Sequence, residues 1–88
     1  MTTNEFEKKL DEQVNLNKIG IYEVFVNNNE LAEYWGLEKK AISINQKMYV
    51  AVFDGERICL SFERSRAIRN LLDEAGVNSF EELEELYN

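Results

Sequence analysis

The spacing of apolar residues changes repeatedly along the chain, and each change marks a new element. Phe6, Leu10 and Val14 recur every four residues, which predicts a first helix of about three turns with a narrow apolar stripe. Asn4 with Glu7 three residues later makes a capping box, and Glu5 and Glu7 suit the positive end of the helix dipole. Gly20 then breaks the pattern. The β-branched and aromatic run over residues 19–26 predicts a first strand. Asn27, Asn28 and Asn29 follow as a turn and helix cap, with no function assigned to them. Leu31, Tyr34, Trp35 and Leu37 give a short second helix, stopped by Gly36.

Ile42 and Ile44 alternate with polar neighbours and predict a short strand. Two apolar runs, Met48–Phe53 and Arg57–Phe62, then meet at Asp54-Gly55, a pair that supplies both positive-φ positions of a type I′ hairpin. A two-residue loop sets Ala51 against Ile58 and Tyr49 against Leu60 on one face. The other face pairs Val50 with Cys59 and Val52 with Arg57, beside Met48 and Ser61. With both faces partly apolar, the hairpin is either covered on both sides or carries an exposed patch fit for a homodimer. Ser65 is placed to cap a third helix, where Ile68, Leu71, Leu72 and Ala75 form the stripe and Gly76 the stop. Ser79 opens a fourth, with Glu82 completing a second capping box.

The order is roughly α-β-α-β-β-β-α-α, an α+β class fold with a small antiparallel sheet of three to four strands and helices packed on it. The 88 residues are expected to form a single domain with one modest core, in which Tyr22, Tyr34 and Trp35 belong. Proline is absent and the four glycines are isolated, so no linker or low-complexity segment is expected. The first residues carry charge throughout, without the apolar centre of a signal peptide, and no apolar run approaches a membrane span. A single cysteine, Cys59, cannot form an internal disulfide. A cytoplasmic location is the expectation.

Charge changes the picture by its distribution. The net charge is −7, yet residues 39–69 hold seven bases against three acids, while residues 70–88 hold six acids and no base. Acidic ends therefore flank a basic middle.

The chemistry of catalysis is missing. Without histidine the chain lacks the commonest general base and metal ligand, and Cys59 has no imidazole to activate it. No serine sits in a Gly-x-Ser-x-Gly elbow, and no glycine-rich phosphate loop, calcium loop or zinc-spaced cysteine pair occurs. No catalytic residue, metal or cofactor is expected, and a binding role is favoured over an enzymatic one.

Two surfaces carry candidate function. In the fourth helix Phe80, Leu83, Leu86 and Tyr87 fall on one arc, and Glu81, Glu82, Glu84 and Glu85 on the other, preceded by Asp73 and Glu74. Carboxylates three and four residues apart stand roughly 5–6 Å apart at Cβ, comparable with the phosphate repeat of about 3.4 Å along a nucleic-acid strand. Such a face fits a channel built for DNA or RNA; it also fits a helix surface kept acidic for solubility. The second surface is Arg57, Arg64, Arg66 and Arg69, where arginine forks suit phosphate oxygens, unless they pair with the chain's own acids.

The leading expectation is a small acidic inhibitor or regulator that binds a protein, a nucleic-acid-binding enzyme with a basic channel. Phage and plasmid anti-defence proteins of anti-CRISPR or anti-restriction type, and immunity proteins against nuclease toxins, share this size and charge. The alternatives are direct nucleic-acid binding through the four arginines, and a structural homo-oligomeric adaptor.

Overall fold

The computed structural model of the chain describes residues 3–37 and 45–87. Its elements run α1 (Thr3–Glu12), β1 (Gly20–Asn27), α2 (Asn28–Tyr34), β2 (Asn45–Phe53), β3 (Glu56–Ser61), α3 (Arg64–Ala75) and α4 (Phe80–Tyr87). The three strands form an antiparallel sheet in the order β1-β2-β3, so the fold is α+β, with helices packed on the sheet. The strand expected at Ile42 and Ile44 lies outside the described residues.

Alternation along β2 divides the core in two. Met48, Val50 and Val52 join Val24 and Val26 of β1 beneath Phe6 and Leu10 of α1 and Leu31 of α2. Ala51, on the opposite side of the pleat, packs with Ala67 and Leu71 of α3, Val77, and Leu83 of α4. Both faces of the sheet are therefore covered: α1 and α2 on one side, α3 and α4 on the other. Each helix stripe is narrow because it has to cover only half of a small sheet.

The hairpin turn is as the dipeptide requires, with Asp54 at φ 53° and Gly55 at φ 81°. Phe53 pairs with Glu56 and Val52 with Arg57, as expected, but Ile58 is then an extra residue. Ala51 pairs with Cys59, Val50 with Leu60 and Tyr49 with Ser61, one step out of the expected register. This bulge lets Ile58 and Cys59 both pack toward α3, while Leu60 turns to the α1–α2 core. Cys59 thus leaves the face shared with Val50; its Sγ accepts a hydrogen bond from Asn70 Nδ2 at 3.2 Å.

Helix ends follow the sequence in most cases. Gly76 sits at φ 72°, and the N–H groups of Gly76 and Val77 return to the carbonyls of Asp73 (3.2 Å) and Leu72 (3.1 Å), closing α3 in a Schellman motif. Ser79 Oγ accepts from Glu82 N–H at 3.2 Å, and Glu82 Oε2 reaches past Ser79 to accept from Asn78 N–H at 2.9 Å. Two expected caps differ. α1 begins at Thr3, so Asn4 lies inside its first turn. α3 begins at Arg64 with Glu63 as N-cap and no side-chain cap bond; the nearest hydroxyl bond comes from Ser61, whose Oγ accepts from Glu63 N–H at 3.1 Å. Ser65 is already inside the helix. No helix among the described residues is long and apolar enough to cross a membrane.

Candidate functional site: the charged face of the third and fourth helices

The two helical layers use their charges differently. On the α1–α2 side, Lys9 Nζ meets Glu30 Oε2 at 3.1 Å, Tyr34 Oη donates to Glu7 Oε1 at 3.4 Å, and Arg57 Nε meets Asp11 Oδ1 at 2.6 Å. Acids of the first two helices are thereby tied into the fold. On the other side, Arg64, Arg66, Arg69, Asp73, Glu74, Glu81, Glu84 and Glu85 are all exposed. None of these eight forms an ion pair within 4.0 Å among the described residues.

The structure breaks up the arginine set. Arg57 belongs to the α1 side of the sheet, where its partner Asp11 lies 46 residues earlier in the chain. The other three are on α3, but at about 100° per residue Arg64 and Arg66 stand roughly 200° apart around the helix. Only Arg66 and Arg69, one turn apart, share the outward arc. Asp73 follows Arg69 by four residues without closing to an ion pair among the described residues, in the arginine-before-acid order that is the weaker one on a helix.

Four of the acids, Glu81, Glu82, Glu84 and Glu85, share α4. Leu83 is buried and Phe80 partly so, which fixes the inward side of α4, and Tyr87 stacks edge-on against Phe53 with ring centres 5.4 Å apart. Glu81, Glu82 and Glu85 then occupy the outward arc, with Glu84 on one flank. Leu86, expected on the apolar arc, lies on the other flank and is 65% exposed. It stands about 90° from the Leu83–Tyr87 direction, at the margin of the buried stripe. Glu82 has a second task, since its carboxylate holds the Asn78 N–H.

Along α3 the charges run against the helix dipole. The first turn carries Arg64 and Arg66 and no acid; the last turn carries no base and ends on Asp73 and Glu74. Each such placement costs roughly 0.3–1 kcal/mol at an exposed site. α1, in contrast, places Glu5 in its first turn and Lys9 in its last. α3 is thus charged against its own dipole, and among the described residues none of these charges is ion-paired.

Proximity along the chain groups Arg57 with the arginines of α3, but the structure sets it against Asp11. Leu86 is exposed, not on the apolar arc, because of its angle from the centre of the stripe. Among the described residues no three Cys, Asp or Glu side chains gather as metal ligands. The depression beside Arg69 and Asp73, lined also by Ser65, Ile68 and Asn78, is open and shallow. No family model, curated protein or solved structure matches the chain.

Proposed function

We propose that the chain is a small cytoplasmic inhibitor or regulator that binds a protein, and that its docking surface is the outer face of α4 with the adjoining end of α3. The target class is an enzyme acting on nucleic acid, whose basic channel the carboxylates of Asp73, Glu74, Glu81, Glu84 and Glu85 enter in place of phosphates. One observation carries the reading: these acids are exposed and unpaired among the described residues, while acids of α1 and α2 are tied to the chain's own donors. Leu86 adds an apolar contact at the rim, as interfaces built on charge require for affinity beyond steering. By size and charge the role is that of a phage or plasmid anti-defence protein, of anti-CRISPR or anti-restriction type, or of an immunity protein.

Direct nucleic-acid binding has less to rest on. Its four arginines are divided between two sides of the sheet, and the net charge of −7 opposes approach to a polyanion.

The test is retention of a nucleic-acid enzyme from host lysate on the immobilised chain, with elution by salt and by a short DNA duplex. Elution by duplex is expected, together with at least a ten-fold loss of retention for Glu81→Lys with Glu85→Lys at unchanged circular dichroism. Retention that survives both the duplex and the double reversal overturns the proposal.

A further inference from the structure

We propose that the outer edge of β3 and the cleft beside it form a docking groove for an extended segment of a partner protein, which adds to the sheet as a fourth strand. The segment carries an apolar residue opposite Leu60 and a lysine or arginine two or four positions away. The two outer strands of the sheet are finished differently. β1 is closed by a side chain: Gln13 Nε2 donates to the Phe25 carbonyl at 3.0 Å, and Gln13 Oε1 accepts from the Phe25 N–H at 2.8 Å. The outer edge of β3 receives no backbone hydrogen bond from any described residue.

The direction of each backbone group follows from the same contact. Because Phe25 turns both its groups to Gln13, its pair with Lys47 is a non-hydrogen-bonded one. Alternation along β2 then makes Val50 face β1, so Leu60, paired with Val50, points its own N–H and C=O away from the sheet. A donor and an acceptor aimed outward from one strand residue are matched by the backbone of another strand. A helix does not match them, because its interior backbone groups bond within the helix.

The groove is apolar where that strand would cross Leu60. Leu60 packs on the α1–α2 side of the sheet, and a residue paired with it directs its side chain to the same side. There a cleft lined by Leu10, Tyr34, Trp35, Val50 and Leu60 runs beside the strand. Trp35 and Phe62, 42% and 48% exposed, meet edge-to-face at 5.9 Å and extend the apolar surface past Ser61.

Toward the hairpin turn the groove becomes negative. The cleft shares Tyr34 and Arg57 with a second depression, lined also by Glu7, Asp11 and Glu56. Arg57 is matched by Asp11, and the hydroxyl that Tyr34 donates to Glu7 leaves the charge of that carboxylate in place. Glu56 is exposed and forms no ion pair among the described residues. Two carboxylate charges therefore remain at this end. Glu56 lies at most about 13 Å from Leu60 along the strand, so a lysine or arginine two or four positions from the seated apolar residue reaches it from the same face. Such a segment complements the groove in backbone, shape and charge. The inference does not depend on the proposed target, whose docking face lies on the α3–α4 side.

The test is selection of ten-residue peptides from a random displayed library on the immobilised full chain. The best peptide is then titrated against the fluorescence of Trp35, the single tryptophan of the chain. Selected peptides are expected to carry apolar residues at alternate positions, with lysine or arginine two or four positions from one of them, and binding is expected to shift the Trp35 emission. Glu56→Lys should weaken a lysine-bearing peptide at least ten-fold, and glutamate in place of that lysine should restore binding to the variant. Trp35→Ala should weaken a labelled peptide at least ten-fold by anisotropy. Both replaced side chains are exposed, so circular dichroism is expected to be unchanged. Selection of no peptide above a Trp35→Ala control overturns the proposal, as does binding indifferent to the Glu56 exchange. A wild-type dimer in light scattering that Trp35→Ala dissociates also overturns it, because a second copy then fills the groove.

Discussion

The side-chain amide of Gln13 and the backbone of Phe25 hold each other by two hydrogen bonds, 3.0 and 2.8 Å long, as a neighbouring strand would. The contact follows α1 in the chain and fastens its C-terminal end to the outer strand. A sheet edge left bare invites pairing with other chains, and here one glutamine blocks the middle of β1. Gln13→Ala is expected to lower stability by about 1–2 kcal/mol in urea unfolding, since two partly exposed bonds are lost. The sharper readout is hydrogen exchange, in which the Phe25 amide loses protection while Val24 and Val26 keep theirs.

Asp11 and Arg57 tie the first helix to the hairpin, with the arginine side chain 21% exposed. A double-mutant cycle of Asp11→Asn and Arg57→Met should return a coupling of about 1 kcal/mol, reduced in high salt because the pair is half open to solvent. Arg57→Ala is expected to leave any partner binding through α4 intact.

The reversed charges of α3 give an expectation opposite in sign to most substitutions. Arg66→Glu places an acid in the first turn and should stabilise the fold by ~0.3–1 kcal/mol in thermal or urea unfolding. Glu74→Lys should do the same at the other end. The same Glu74 change is expected to weaken target binding, so stability and affinity move apart in a single variant.

Gly76 closes α3 at φ 72°, and a Cβ built there meets nothing within 4 Å. Gly76→Ala is therefore expected to cost roughly 1 kcal/mol through backbone conformation alone, and Gly76→Asn less, because asparagine tolerates the left-handed region. Urea midpoints at equal m-values would measure the difference.

Much of the fold was legible where the signal is local. Asp54-Gly55 announces its turn because two consecutive positive-φ positions need those residue types, and Gly36 and Gly76 announce helix ends for the same reason. The acidic face of α4 was legible because a helical period sorts its residues by angle alone. The bulge at Ile58 was not: Arg57, Ile58 and Cys59 contain no glycine, and both registers bury apolar residues when both faces are covered. Ser65 misled because serine is a strong cap anywhere near a helix start, whereas α3 starts two residues earlier, at Arg64 with Glu63 as its cap, and places Ala67 and Leu71 on the sheet. The pairing of Arg57 with Asp11 was out of reach, since nothing near residue 57 points to residue 11.

The division of β2 between two cores has a consequence for how the molecule tolerates change. Met48, Val50 and Val52 serve one helical layer and Ala51 the other, so the strand is the common wall of two rooms. Sliding it by one residue exchanges their furnishings: valines would crowd the side where Ala51 leaves space for α3, and alanine would leave a void under Phe6 and Leu10. Single-residue insertions and deletions should therefore be rare in β2 from Met48 onward, since that stretch has no solvent face on which a mistake can be hidden.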